Sequence, residues 1–179
     1  MMKRKSVCFF GQDGSLETIV KKGPESLDRL KEAIIEAVRT SINDGYRDYV
    51  CGMRPGFDLF AAAVIGELMR GELSMESITL VALLPYKGFQ YAKGDPVQVS
   101  FCAVYNDLAN IRLELEPKDA ESPFVAQFNY IIERSGRMIC LFDDDQEPNI
   151  HHARRKGLEL INLKDKVLPV KKRRKVSTP

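Results

Sequence analysis

The sequence predicts an α/β domain with a mostly parallel sheet, and three observations predict it. Short apolar runs alternate with longer amphipathic ones along the chain, the pattern expected when helices cover both faces of a parallel sheet. The run at 78–84, ITLVALL, is almost uninterrupted, so this strand needs burial on both faces and belongs near the centre. The runs stop at Gly11, Gly52 and Pro85, residues that hand a strand over to a loop.

The elements follow in order. Residues 6–10 form the first strand, broken by Gly11-Gln12-Asp13-Gly14. Over 24–44 the apolar positions Leu27, Leu30, Ile34, Ala37, Val38 and Ile42 recur at three and four, and Asn43-Asp44-Gly45 closes that helix. A second strand at 46–51 leads to an Ala-rich helix at 58–70, whose face of Leu59, Ala62, Ala63, Gly66 and Met69 is small enough to pack closely on a sheet. Strand 78–84 follows, then helix 97–107, strand 111–115, helix 123–135, strand 137–142, a short helix at 151–157 and a last strand at 158–163. There is no internal repeat. The sum is a Rossmann-like three-layer sandwich.

Bulk properties bound the function. The 179 residues suffice for one domain with a buried core. An apolar fraction of 44% with 29% charged residues argues against wholesale disorder. No apolar stretch approaches the roughly 20 residues that cross a bilayer, so no membrane association is expected. The basic start Met1-Met2-Lys3-Arg4-Lys5 is followed only by the brief run 7–10 before Gly11, which suits a first strand better than an export signal. The expected location is cytoplasmic. Cys8, Cys51, Cys102 and Cys140 contain no C-x-x-C pair and are expected as reduced, packed thiols with no metal role. The net charge of +2 is uneven: seven Lys or Arg residues against Asp165 fall within 164–175. The division is therefore a domain at 1–163, mildly acidic, and a basic tail at 164–179. Within the tail, residues 169–176 look like a nuclear-import signal, although basic tails are also common elsewhere.

In an open parallel sheet the ligand crevice lies beyond the carboxyl ends of the strands. Four loops should meet there: 11–14, 52–58, 85–90 and 143–149. In the second, Gly52 and Gly56 flank a strand-to-helix turn whose amides and helix dipole favour a phosphate or carboxylate, and Arg54 adds a cation. Asp58 stands where an N-cap belongs, with a ribose hydroxyl as its other partner. Tyr86, Lys87 and Gln90 suit stacking on a base and reading its edge, though exposed loop aromatics are ordinary. The turn is neither G-x-G-x-x-G nor G-x-x-x-x-G-K-[ST], so neither dinucleotide nor Walker chemistry follows from it. Asp143, Asp144 and Asp145 could hold a divalent cation, but such loops are usually just solvated. His151 and His152 are adjacent and point about 100° apart on a helix. Ser15, Glu17, Ser100 and Glu133 have no evident nucleophile or base context, so no catalytic set is assigned.

With these residues in view, the chain resembles the SLOG superfamily and, within it, the YpsA-like branch. Phe9-Phe10-Gly11 ends the first strand where that branch reads F-T-G-H-R; residues 51–62, CGMRPGFDLFAA, resemble G-G-A-x-G-x-D-x-x-A-A; 84–90, LPYKGFQ, resemble P-F-x-x-Q; and Asn129 to Ser135 resemble R-N-x-x-M-V-x-x-S. The resemblance spans roughly 5–163. It implies a Rossmann-like sheet binding a nucleotide or nucleotide-derived ligand of ADP-ribose type, in a non-catalytic or sensing role. The residues expected to contact such a ligand are Gly11, Gln12, Gly52, Arg54, Gly56, Asp58, Tyr86, Gln90 and Asn129. Three departures stand out: Phe10 with Gln12-Asp13 replaces the polar Thr and His-Arg, Phe128 replaces the Arg before Asn129, and 146–149 replaces a late G-G-T. The LOG-type P-G-G-x-G-T-x-x-E signature of nucleoside-monophosphate hydrolases is missing. Hydrolysis of an N-glycosidic bond and an adaptor role, with the tail on nucleic acid or another acidic partner, are the alternatives. No cofactor is assigned, and homo-oligomerisation stays open.

Overall fold

The computed structural model describes residues 5–73, 78–116, 122–143 and 147–167. Six parallel strands form one sheet in the order β4-β3-β2-β1-β5-β6. They are β1 (Ser6–Gly11), β2 (Asp48–Cys51), β3 (Thr79–Leu84), β4 (Ile111–Glu114), β5 (Ser135–Leu141) and β6 (Glu159–Asn162). The chain winds outward from β1 to β4, returns to set β5 against the other side of β1, and ends at β6. The strand order therefore reverses between β1 and β5, where Phe9 is level with Ile139 and Gly11 with Leu141.

Strand alternation explains the two cores. Val7, Phe9, Tyr49, Cys51, Leu80, Ala82, Leu84, Ile139 and Leu141 face one way, while Cys8, Phe10, Leu83, Met138 and Cys140 face the other. The first face is covered by α1 (Ser15–Val20), α2 (Pro24–Asn43), α3 (Phe57–Arg70), α4 (Pro96–Cys102) and α7 (Lys164–Val167), and the second by α5 (Pro123–Arg134) and α6 (Pro148–Arg155). Helix α2 carries Leu30, Ile34, Ala37, Val38 and Ile42 into the first core, as the three-and-four spacing requires.

Several elements differ from the sequence expectations. Helix α1 is not predicted, because its six residues bury only Ile19. Residues 46–47 stay outside β2: Tyr46 places its ring under the Arg137 guanidinium, 4.5 Å from it, and Arg47 donates to the carbonyl of Ile42 at 2.7 Å. The helix expected at 97–107 divides into α4 and a wider π-helical turn, Ala103–Leu108. Arg112 donates to the carbonyls of Tyr105 and Asn106, and Arg70 to that of Asp107 at 2.6 Å, so arginines satisfy the carbonyls of that turn. Residues 164–167, expected in the tail, form α7, with Val167 fully buried and Lys166 paired with Glu36 of α2 at 2.8 Å. Residues 168–179, including the import-like run, lie outside the described residues.

On the second face α5 reaches β3 at Ile131, which packs with Leu83, and beyond it β4 has no helix over it among the described residues. Val50, Val81, Leu83, Ile111 and Leu113 line an apolar groove of about 190 Å³ there, beside Tyr130 of α5.

Candidate functional site

The site is built where β1 and β2 end. After Cys51 the backbone crosses Gly52 and turns through Met53 at φ 58° and Gly56 at φ 85°. Met53 is buried and held in this left-handed conformation by three contacts. Its N–H meets Cys51 Sγ at 3.3 Å, its carbonyl accepts from the Tyr91 hydroxyl at 3.0 Å, and its side chain packs in the core. Gly56 caps α3; a Cβ there would meet nothing within 4 Å, so this end of the turn is open to solvent. The carbonyls of Arg54 and Gly56 accept from Leu59 and Phe60, whereas the Phe57 and Asp58 amides that open the helix have no intrahelical acceptor.

The end of β1 approaches this helix so closely that only glycine fits. A Cβ on Gly11 would stand 2.3 Å from Phe57 Cβ. Gly11 donates its N–H to Asp58 Oδ1 at 3.1 Å. This corrects the expectation that Asp58 caps α3: the helix starts one residue earlier, at Phe57, with Gly56 as its cap and no side-chain cap bond. Asp58 sits in the first turn, 3% exposed, and joins β1 to α3. Burial raises its pKa to about 7 against the opposing pull of Arg54 and the Gly11 amide, with Asp13 adding to the rise.

Between the two loops lies a cleft of about 210 Å³, lined by residues 11–17 and 54–57. Arg54 reaches across it to Asp13 Oδ1 at 3.3 Å, with its guanidinium 5.3 Å from the centre of the Phe10 ring. Ser15 Oγ is buried without a hydrogen-bond partner. Gln12 borders the cleft and closes its β5 side, since its N–H bonds Leu141 O at 3.0 Å and its Oε1 accepts from the amide of Asp143 at 2.9 Å.

Of the nine residues expected at the site, Gly11, Gln12, Arg54 and Gly56 line the cleft and Asp58 stands directly behind it. The other four lie elsewhere. Gly52 is buried; Gln127 of α5 donates to its carbonyl at 2.9 Å, and a Cβ there would press on Ile131 at 3.2 Å. Tyr86, 40% exposed, lies edge-on to Phe89 at 5.3 Å, and Gln90 is exposed beyond it. Asn129 is half-buried on α5. Sequence reasoning missed Pro55 and Phe57 as lining residues and gave Ser15 and Glu17 no role; the legible signal was Ser-Leu-Glu immediately after a loop glycine, the start of α1.

Asp143 pairs with Lys164 at 3.0 Å, whereas Asp144 and Asp145 lie outside the described residues. Among the described residues no three His, Cys, Asp or Glu side chains are grouped to hold a metal, and no helix is long and apolar enough to cross a membrane. All four cysteines are free and three are buried; burial pushes the Cys8 thiol up to about 12 and raises Cys51 and Cys140 as well, so these thiols stay protonated and inert.

The YpsA family model, described as the YspA SLOG family, matches residues 15–163. The chain belongs to this family. No curated protein matches it. Membership in the YspA SLOG family is consistent with a nucleotide-related ligand. The matched span opens at Ser15, so in this YspA SLOG protein β1 and the loop at 11–14 precede the match, and that loop carries the Gln12-Asp13 departure.

Proposed function

We propose that the protein binds a nucleotide or nucleotide-derived ligand through its phosphoryl group, without catalysing its breakdown. The observation that carries this reading is the convergence of three anion-receptive features on one cleft: the opening amides of α3, the Arg54 guanidinium and the unpartnered Ser15 hydroxyl. Among the described residues the ion-pair partner of Arg54 is Asp13, whose carboxylate is almost fully exposed. Such a pair is worth no more than about 1 kcal/mol, so a phosphate displaces Asp13 easily. The cleft is smaller than the roughly 300 Å³ at which drug-sized sites begin. It therefore suits a phosphate with part of its ribose, leaving the remainder of an ADP-ribose-like ligand over the rim.

Binding is favoured over hydrolysis by the positions of the two candidate acids. Asp58 is buried and bonded to Gly11, and Glu133 is on α5, paired with Lys156 at 3.9 Å. Neither lines the cleft, whose own carboxylates are Asp13, paired with Arg54, and Glu17. The basic run at 171–175 supports a separate, salt-sensitive contact with nucleic acid; deletion of 168–179, sparing the buried Val167, should abolish retention on immobilised DNA.

The deciding experiment is a thermal-shift panel of nucleoside monophosphates, diphosphates and ADP-ribose, with chromatography of each mixture for free base. A saturable rise in Tm with at least one member and no released base is expected. A flat response across the panel at millimolar concentration overturns the binding reading, and released base overturns the non-catalytic one.

A further inference from the structure

Among the described residues strand β4 is an edge of the sheet and pairs with β3 alone. Leu115 donates its amide to Leu84 O at 3.2 Å. By the alternation of an extended chain, Ile111 and Leu113 turn their backbone groups the same way, toward β3. Arg112 and Glu114 therefore present their N–H and C=O groups outward, with no strand partner among the described residues. Edges of this kind are normally blunted by proline, bulges or cover. Here the strand has neither proline nor bulge, and on the uncovered face Ile111 and Leu113 are 44% and 39% exposed.

We propose that the protein is a two-fold homodimer in which β4 pairs antiparallel with β4 of a second copy about an axis at Leu113, doubling the six-stranded sheet. The occupant follows from charge complementarity within Ile111-Arg112-Leu113-Glu114-Leu115. An axis at Leu113, perpendicular to the sheet, sets Arg112 opposite Glu114 of the second copy, and Glu114 opposite its Arg112. These are the residues with outward backbone groups, so each opposed pair exchanges both of its hydrogen bonds, and opposite charges across a strand pair attract. Moving the axis to Arg112 sets that arginine against itself, and moving it to Glu114 sets that glutamate against itself while bringing Arg112 opposite Glu116. Of the three, the axis at Leu113 is the one that opposes no like charges.

The same axis keeps the two uncovered half-faces on one side of the joined sheet. Ile111 and Leu113 then meet Leu115 and Leu113 of the second copy in one apolar stripe that runs into the groove beside Tyr130 in each copy. Arg112 and Glu114 lie on the opposite face with Tyr105, whose ring centre is 5.7 Å from the Arg112 guanidinium. The interface uses neither Arg54 nor any other residue of the ligand cleft.

Light scattering after size exclusion, on the full chain from low to several hundred micromolar, tests this. The expected mass is twice 20.3 kDa at the upper concentrations. Arg112→Glu and Glu114→Arg should each give the monomer mass, Leu113→Asp should do the same with an unchanged circular dichroism spectrum, and Arg112→Glu combined with Glu114→Arg should recover the dimer. A wild-type monomer throughout the range, leaving the edge to solvent or another partner, overturns the proposal. So does a dimer indifferent to all four variants. Monomeric single variants without recovery in the charge-swapped double overturn the register.

Discussion

The rings of Phe10 and Phe128 meet edge to face, 5.9 Å apart, and both stand where the YpsA-like motif carries polar residues, a threonine on β1 and an arginine on α5. Two departures far apart in sequence are thus one change in space. At the half-buried position 128 an arginine would meet the Phe10 ring where the motif offers it a hydroxyl, so the two apolar replacements suit each other. The second face of the strand-order reversal is closed by this ring pair, which leaves the cleft between the loops of β1 and β2 as the open one.

A double-mutant cycle with Phe10→Leu and Phe128→Leu should therefore show a coupling of about 0.5–1.5 kcal/mol by urea unfolding, beyond the area lost in each single variant. Additive losses would mean that the rings merely share a boundary.

Asp58 predicts a specific pH dependence. Its folded pKa of about 7 lies above the ordinary value of 3.8, so the native state holds the proton more tightly than the unfolded chain does. Stability contributed by the neutral carboxyl is fully present below about pH 4 and is lost as pH rises toward about 7. Asp58→Asn keeps an acceptor for the Gly11 amide and cannot ionise. Relative to wild type it should be near neutral at pH 4 and more stable at pH 8 by up to about 4 kcal/mol. Urea unfolding of both proteins across that range reads the difference directly, and a pH-independent gap would show that Arg54 and the α3 amides offset the burial completely.

Gly66 sets two effects of opposite sign against each other. Alanine should favour an α-helix by about 1 kcal/mol over glycine, but a Cβ on Gly66 would sit 2.8 Å from Leu108 Cβ, an atom fixed to the backbone of the π-helical turn. Overpacking at such a contact costs about 1–3 kcal/mol. Gly66→Ala should lower Tm by roughly 2–4 °C, measurable by calorimetry; a rise would mean that the π-helical turn yields.

At the cleft, Gly56→Val forces a branched residue into φ 85°, ψ −129° at a cost of about 1–3 kcal/mol and hangs a side chain over the α3 amides. Arg54→Ala should leave stability nearly unchanged, because its partner Asp13 is exposed, yet weaken any phosphorylated ligand by roughly 10–100-fold. Titration calorimetry with the strongest member of the panel separates the two variants.

The strands were legible because a parallel sheet buried on both faces demands apolar runs, and 78–84 could hardly be anything else. Helix α1 was not, since six residues with a single buried side chain carry no period. The site divides along the same line. Gly11, Arg54 and Gly56 belong to turns whose geometry is local, and local chemistry reveals them. The burial of Gly52 depends on Gln127, a residue far along the chain whose Nε2 also bonds Leu83 O at 2.6 Å. Tyr86 and Gln90 follow a strand end as the crevice rule requires, yet the loop is drawn off by Phe89, which packs edge-on against Tyr91, Phe101 and Phe124. No spacing rule conveys that competition.

The position of β1 between β2 and β5 also bears on how the chain matures during synthesis. Of the six strands β1 is made first, but its partner β5 follows about 130 residues later, on the order of ten seconds at typical elongation rates. Throughout that interval the nascent chain can assemble β1 to β4 with their helices, while Cys8 and Phe10 await α5 and β5. Until β5 is made, one edge of β1 and the Cys8 and Phe10 side of the sheet are without the partners that bury them.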